Sequence, residues 1–221
     1  MNDIYNEAIQ PKKEPERKGI NSEMLEFAKR VLLEKWLPSL EFDPSVFRYN
    51  DLENFAAWLA AYCFNRNNPE LCDRPRKCLL LCGKTGRGKT TLAKFLQGKF
   101  ILPMYSADEL DKIAVDEENT NYYILRAIYG GENDLIIDDL GAELLRTRYG
   151  NAPEFPQMLQ RIYDSWKFHG KLIIATTNLA LSQQGLEIFT KLYGERTAER
   201  LAEMFMPVYL TGETNYRRNG K

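Results

Sequence analysis

Two patterns of apolar residues alternate along the chain: short uninterrupted runs and stripes with helical spacing. The runs predict strands that are buried in a sheet, and the stripes predict amphipathic helices that pack against it. Strands that alternate with helices indicate a mostly parallel sheet covered on both faces, with any ligand at the carboxyl ends of the strands. The predicted strands are 77–82, 100–105, 134–139, 171–178 and 206–210.

The predicted helices begin at capping residues and end at glycine, proline or asparagine. We expect the first helix to end before Pro38. We also expect Pro103 to place the second strand at an edge of the sheet, because proline has no N–H to donate. The predicted helices are 22–36, 51–67, 92–98, 107–115, 121–129, 155–166, 183–192 and 194–201.

The order of these elements divides the chain into three parts. Residues 1–20 carry prolines and mixed charges with little to bury, so we expect a disordered tail. Residues 21–45 form a short helical extension that packs against a single α/β domain, residues 46–221. No helical lid domain is expected after the last strand, because only residues 211–221 follow it.

The composition excludes several classes of protein. A formal net charge of −1 gives no overall attraction to nucleic acid or membrane, so DNA contact needs a local patch or an oligomer. No apolar run reaches the roughly 18 residues that span a bilayer, and the N-terminus has no signal pattern, so we expect a cytoplasmic protein without membrane contact. The four cysteines match no common zinc spacing and are expected to be reduced, small apolar residues.

The segment between the first strand and the next helix carries the clearest chemistry. It has the pattern Gly-x-x-x-x-Gly-Lys-Thr in the strand–loop–helix context that a phosphate-binding loop requires. Glycines let backbone N–H groups turn toward a phosphate chain, the lysine can reach the β- and γ-phosphates, and the threonine hydroxyl can hold Mg²⁺. The predicted nucleotide-binding residues are Gly83, Lys84, Thr85, Gly86, Arg87, Gly88, Lys89, Thr90 and Thr91.

Two later strands also end in polar residues. Asp138 and Asp139 follow the apolar run Leu135–Ile137, and an acid at that end of a strand can face the metal in the same crevice as the loop. We predict that Asp138 holds Mg²⁺ and that Asp139 orients or polarises the attacking water. Asn178 ends the next predicted strand and could position the same water.

Together these motifs resemble the AAA+ ATPases of the helicase-loader and transposition-helper group (DnaC-like and IstB-like proteins). Paired aspartates are typical of that group, whereas many other AAA+ proteins have Asp-Glu. The end of the chain is similar to the group's Gly-x-Ser-x-Arg ending, but Thr214 and Asn215 lengthen the spacing before Arg217. The likeness covers residues 45–218 and rests on GKTGRGKTT (83–91), LIIDDLG (135–141), LIIATTN (172–178), YGERTAERL (193–201) and LTGETNYRR (210–218).

The resemblance implies a P-loop NTPase fold of the AAA+ type, a three-layer α/β/α arrangement with a five-stranded parallel sheet, and the cofactors ATP and Mg²⁺. Asn178 matches the sensor-1 residue, and Arg200 matches the arginine finger that acts on ATP bound by a neighbouring subunit. Arg196 is a helper or the alternative finger. A guanidinium can neutralise charge on the γ-phosphate, so we expect slow hydrolysis until ATP-bound subunits form a homo-oligomer. The implied partners are a replicative helicase or a transposase, and single-stranded DNA.

Two segments are candidates for contact with DNA or a partner. Residues 106–133 match in position the extra helices that the group uses on single-stranded DNA. They are acidic, however, with Lys112 and Arg126 as the only cations, whereas DNA binding normally needs a cationic groove with stacking aromatic rings. Tyr122 and Tyr123 could stack on bases, but we expect them to be buried. The second segment is the loop 143–153, which carries Arg146, Arg148 and Tyr149.

Three other classes compete with an ATPase of DNA replication or transposition. A stand-alone P-loop phosphotransferase, such as a small-molecule or nucleotide kinase, needs the loop but not the Asp-Asp, Thr-Thr-Asn and paired-arginine motifs in this order. A nucleotide-bound scaffold without hydrolysis is disfavoured, because Lys89, Thr90 and both aspartates are intact. A GTPase is disfavoured because the chain has no Asn/Thr-Lys-x-Asp motif. We therefore predict an ATPase of the helicase-loader type.

Overall fold

A parallel β-sheet forms the centre of the protein. The structure is a computed structural model that describes residues 19–48, 50–67, 69, 73–131, 133–143 and 153–212. All predicted strands are confirmed, as β1 Cys78–Cys82, β2 Met104–Ser106, β3 Leu135–Asp138, β4 Ile173–Thr177 and β5 Phe205–Tyr209. Their order across the five-stranded sheet is β2-β3-β4-β1-β5, and every pairing is parallel. The strand after Pro103 lies at an edge, as predicted.

Two groups of helices cover the sheet. Every residue of β1 and β4 is buried, as both faces of a covered parallel sheet require. The first group is α1 Ser22–Val31, α2 Leu37–Ser39, α3 Asp51–Asn67 and α4 Lys89–Phe100. The second group is α5 Ala107–Val115, α6 Tyr122–Tyr129, α7 Phe155–His169, α8 Gln183–Tyr193 and α9 Glu195–Met204. The predicted α/β class is therefore confirmed.

The register of the sheet brings the carboxyl ends of its strands to one edge. Cys82 at the end of β1 pairs with Thr177 at the end of β4 and with Tyr209 at the end of β5. Asp138 at the end of β3 pairs with Ser106 at the end of β2. The glycine loop, the two aspartates and Asn178 therefore follow strand ends that lie side by side.

The first helical segment does not end before Pro38. Asn21 caps α1, accepting a hydrogen bond from the Met24 N–H over 2.8 Å. A π-helical turn, Leu32–Trp36, then joins α1 directly to α2, and the Leu37 N–H donates to the carbonyl of Leu32, five residues back. In a regular α-helix a proline ring clashes with the carbonyl four residues earlier, so the wider turn explains how the backbone continues through Pro38.

The segment after α2 packs onto the α/β domain beside the glycine loop. Phe42 is buried, as is Val46 in a short 3₁₀ helix, Pro44–Val46. Phe47 forms an isolated antiparallel bridge with Leu210, and the guanidinium of Arg48 lies 4.1 Å from the centre of the Tyr209 ring. The segment after α2 is thus joined to the end of the last strand.

Helix α4 runs past Gly98, where we expected it to stop. It ends at Phe100, and Ile101 follows in the left-handed conformation with φ of 54°. An interior glycine costs a helix about 1 kcal/mol, which the burial of one large side chain can outweigh. Phe100 is that side chain: it is buried, and its ring packs 4.7 Å from the ring of Tyr62 in α3.

The prediction that Tyr122 and Tyr123 are buried was wrong. Their exposed fractions are 68% and 75%. Helix α6 is held to the domain at its other end, where the guanidinium of Arg161 in α7 lies 3.7 Å from the ring of Tyr129. The buried Lys171 also donates to the carbonyls of Ala127 and Gly130 at that end. Tyr122 and Tyr123 therefore face solvent, whereas Ile124 of the same helical turn packs against the core.

Some sequence predictions fall on parts of the chain that the structure does not describe. They are the tail 1–18, Cys72, the loop residues Arg146, Arg148 and Tyr149, and Arg217. Among the described helices, none combines the length and the apolar character that crossing a membrane requires.

Candidate functional site

The glycine loop connects the end of β1 to the start of α4. Gly86 and Gly88 have φ values of 85° and 82°, the left-handed region that favours glycine. Close packing excludes a larger residue at two positions. A Cβ on Gly83 would lie 2.4 Å from the carbonyl oxygen of Leu210, and one on Gly88 would lie 2.3 Å from the ring of Phe42. The loop backbone therefore depends on glycine for its conformation and for its contacts.

Lys89 is the first residue of α4 and is 5% exposed. Its ammonium donates to the carbonyl of Lys84 over 3.1 Å and to Oδ1 of Asn178 over 2.9 Å. The first bond spans the loop, and the second joins the loop to the residue after β4. The ammonium is thus fixed at the amino end of a helix, a position that attracts anions.

Thr90 and Asp138 bring two hard oxygen atoms together. The Thr90 hydroxyl donates to Asp138 Oδ1 over 3.0 Å. Hydroxyl and carboxylate oxygens are ligands that Mg²⁺ accepts, usually with phosphate oxygens and water completing its coordination. The donor set therefore fits Mg²⁺ between a threonine, an acid and a phosphate chain.

Asp139 occupies an unusual backbone conformation. Its φ is 56°, a left-handed value that is uncommon for residues other than glycine, asparagine and aspartate. Its N–H donates to the hydroxyl of Thr176 over 2.9 Å, and the next N–H, of Leu140, donates to the carbonyl of Thr176 over 2.8 Å. The end of β4 thus shapes the turn that follows β3.

These elements enclose a cleft at the carboxyl edge of the sheet. Of the predicted binding residues, Gly83 packs against Leu210, Lys84 and Thr85 are exposed, and Arg87 is half-buried. The residues that line the cleft are Gly86, Gly88, Lys89, Thr90, Thr91, Asp139 and Asn178. Five of the predicted catalytic or metal-binding residues therefore lie in or directly beside one cleft: Lys89, Thr90, Asp138, Asp139 and Asn178.

The two predicted arginines lie elsewhere. Arg196 is on the first turn of α9 and is exposed. Arg200 lies one turn later against α7, where its guanidinium donates to Gln160 Oε1 over 3.3 Å and lies 4.0 Å from Asp164 Oδ1. The guanidinium also lies 4.7 Å from the centre of the Tyr163 ring. Neither arginine lines the cleft of its own chain.

Two residues beside the cleft were not predicted from the sequence. Phe42 packs against Gly88 from a segment 46 positions earlier in the chain, and no sequence signal points to it. Thr176 bonds to both aspartates, and the only signal for it is a pair of threonines before Asn178. Both contacts depend on chain segments that meet only in the folded protein.

The cysteine nearest the site has no reactive role in it. Burial raises the pKa of the Cys82 thiol to about 12, so the thiol is neutral at physiological pH, and a neutral thiol is a poor nucleophile. Cys78 is buried on the same strand, and Cys63 is half-buried. The three described cysteines are free and pack as small apolar residues, as predicted.

No family model matches the sequence, and no curated protein matches it. Solved structures do match in fold. The structure of DnaI aligns with a TM-score of 0.55 and 18% identity, over 87% of this chain and 95% of that chain. The structure of the DnaC helicase loader aligns with a TM-score of 0.47 and 23% identity, over 72% of this chain and 89% of that chain. The likeness to DnaI shows the fold: this chain shares the α/β architecture of that structure.

Proposed function

We propose that this protein binds ATP with Mg²⁺ and hydrolyses it. The observation that carries the proposal is the convergence of Lys89, Thr90, Asp138, Asp139 and Asn178 at one edge of the sheet. A cation, a hydroxyl, two acids and an amide follow three different strands there. The left-handed glycines beside them provide the backbone path on which phosphates bind.

The position of each of these residues supports a specific role in ATP binding or hydrolysis. The Lys89 ammonium, held by Asn178 and the Lys84 carbonyl, faces the β- and γ-phosphates. The Thr90 hydroxyl and Asp138 hold the metal, and Asp139 orients the attacking water. Asn178, within 2.9 Å of the ammonium, stays beside the γ-phosphate and that water. When bound, Mg²⁺ neutralises charge that develops on the transferred phosphoryl group.

The arginines of α9 support assembly-dependent hydrolysis. Because neither Arg196 nor Arg200 lines the cleft of its own chain, an arginine finger from α9 would act on ATP held by a neighbouring subunit. Such a site is complete only in a homo-oligomer. We therefore propose that ATP binding promotes assembly and that isolated subunits hydrolyse ATP slowly.

We further propose a role in DNA replication, as a helicase-loader-type ATPase. The fold likeness extends over 95% of the DnaI chain, and the sequence motifs resemble the group that also contains transposition helpers. The exposed Tyr122 and Tyr123 rings, which lie 5.8 Å apart, are a surface on which unpaired bases could stack. That surface supports single-stranded DNA as a partner, beside a replicative helicase or a transposase.

The test is the ATPase rate per subunit, measured against protein concentration with and without single-stranded DNA. We expect the rate to rise with concentration and to respond to DNA. Lys89→Ala should weaken ATP binding by roughly 100-fold or more, because it removes a charged donor from the phosphates. Lys94→Ala, an exposed lysine on the same helix, is the matched control and should bind as the wild type does. Unchanged affinity in Lys89→Ala would remove the basis of the assignment. A rate that stays flat and ignores DNA would favour a stand-alone phosphotransferase.

A further inference from the structure

One buried hydroxyl contacts both aspartates of the candidate site. Thr176 is the fourth residue of β4, and its side chain is fully buried. Its hydroxyl donates to Asp138 Oδ1 over 2.6 Å and accepts a hydrogen bond from the Asp139 N–H over 2.9 Å. A hydroxyl has one hydrogen to donate and two lone pairs. Thr176 therefore uses its hydroxyl as donor and acceptor at the same time.

The bond to Asp138 restricts the orientation of that carboxylate. Asp138 Oδ1 accepts from Thr176 on β4 and from Thr90 on α4, at 2.6 Å and 3.0 Å. A carboxylate that accepts two charge-assisted hydrogen bonds from separate elements cannot rotate freely. Hydrogen bonds to a metal-binding side chain orient it and tune its affinity for the metal.

The bond to Asp139 holds a strained backbone. A left-handed residue other than glycine costs roughly 1–2 kcal/mol, and surrounding contacts must compensate for it. The acceptor that Thr176 offers to the Asp139 N–H, whose residue has a φ of 56°, is one such contact. Without it, Asp139 can return to an ordinary conformation, and its side chain would leave its place in the cleft.

We propose that Thr176 is a positioning residue for ATP hydrolysis. Its single hydroxyl couples the acid that holds Mg²⁺ to the acid that orients water, so that both keep their places together. Thr176 itself does not line the cleft and acts through the two aspartates. The inference rests on the proposed function, because it concerns how the same site is assembled.

The neighbouring Thr177 provides a matched control. It is also fully buried on β4, and its hydroxyl donates to the carbonyl of Leu140 over 2.6 Å and accepts from the Leu179 N–H over 3.1 Å. It has the same residue type, burial and number of bonds as Thr176, but it contacts neither aspartate. If removing a buried hydroxyl from this strand disturbs only the structure, its effect should therefore be similar at both positions.

The experiment measures the binding of a fluorescent ADP analogue (mant-ADP) with and without Mg²⁺, together with ATP turnover. Thr176→Val keeps the shape of the side chain and removes the hydroxyl. In this variant we expect the gain in affinity on adding Mg²⁺ to fall about tenfold. We expect kcat to fall about 10- to 100-fold. Affinity without Mg²⁺ should stay within about twofold of the wild type, because the phosphate contacts of the loop are untouched. Thr176→Ser, which restores the hydroxyl, should recover both quantities, and Thr177→Val should keep the wild-type response to Mg²⁺.

Several outcomes would overturn the inference. They are a wild-type Mg²⁺ response and turnover in Thr176→Val, an equal loss of the Mg²⁺ response in Thr177→Val, or no recovery in Thr176→Ser. If Thr176→Val does not fold, Thr176→Ala and Thr176→Ser make the same comparison. Failure of the proposed function is distinct, because it appears in the wild type as an absence of nucleotide binding or turnover. If the wild type binds without hydrolysing, the Mg²⁺ response alone still tests Thr176.

Discussion

The cleft and the arginine-bearing face of α9 are built in opposite ways. In the cleft, Lys89 is 5% exposed, and its ammonium and the Asp138 carboxylate each have partners within 3.1 Å. On α9, Arg196 is exposed, and Arg200 has its nearest carboxylate at 4.0 Å. Exposed or loose ion pairs contribute little stability. The cleft is thus organised before any ligand arrives, whereas α9 leaves Arg196 exposed and holds Arg200 half-buried against α7.

The cleft and the arginines of α9 therefore depend on other molecules in different ways. A preorganised cleft needs only its ligand, because its hydrogen bonds already fix the reacting groups. A surface arginine contributes to a reaction only when a second surface brings a phosphate to it. In the proposed function, the first region determines whether ATP binds and the second determines when it is hydrolysed.

Arg200→Ala tests most directly whether α9 acts on ATP bound by a neighbouring subunit. If α9 completes a neighbouring site, we expect turnover to fall roughly 1,000-fold with ATP binding retained, since an arginine finger contributes at least that much. Mixing this variant with Lys89→Ala protein should restore turnover, because each supplies what the other lacks. Arg196→Ala is the matched comparison on the same helix and identifies the alternative finger. The result that contradicts a shared site is a large loss in Arg200→Ala that mixing does not rescue.

Asp139→Asn tests the cleft alone. Asparagine tolerates the left-handed backbone at this position and keeps the size of the side chain, but it removes the charge that orients water. We expect turnover to fall about 100-fold while the affinity for ATP with Mg²⁺ stays within about twofold. Mixing Asp139→Asn with Lys89→Ala protein should not restore turnover, because both changes lie in the cleft of their own chain. This result differs from the one expected for Arg200→Ala. Wild-type turnover in Asp139→Asn would exclude the assigned role.

Lys171 tests a third region of the protein. It lies just before the first residue of β4, whereas Thr176 lies near the last. Its side chain is fully buried, and its ammonium donates to the carbonyls of Ala127 and Gly130 over 2.6 Å and 3.0 Å. Burial lowers the pKa of Lys171 from 10.5 to about 8. Between these two values the unfolded chain keeps a proton that the folded chain has released, so this group raises the free energy of unfolding as pH rises.

The measurement is denaturant unfolding of the wild type and Lys171→Met at pH 7.5 and pH 10. Relative to the variant, the wild type should gain about 2–3 kcal/mol of stability between these pH values. ATP binding should be the same in both proteins at each pH. A stability difference that does not change with pH would show that the pKa of Lys171 is not lowered.

The elements of the fold could be predicted from the sequence because each depends on local periodicity. The cleft residues could be predicted because glycines, acids and an amide directly follow the apolar runs of the strands. The structure differs where the outcome depends on packing between distant segments. Pro38 is accommodated by a π-helical turn, and Tyr122 lies on the face of α6 that does not pack against the core. The role of Thr176 depends on β3 lying beside β4, which periodicity along the chain does not specify.

The contact between Phe42 and Gly88 has a consequence for the cost of ordering the loop. The ring occupies the space where a side chain at position 88 would begin, so the phosphate loop and the segment after α2 share one packed contact. Neither can change its conformation without disturbing the other. Because this contact already exists before a ligand binds, less conformational entropy remains to be lost when the loop receives its ligand.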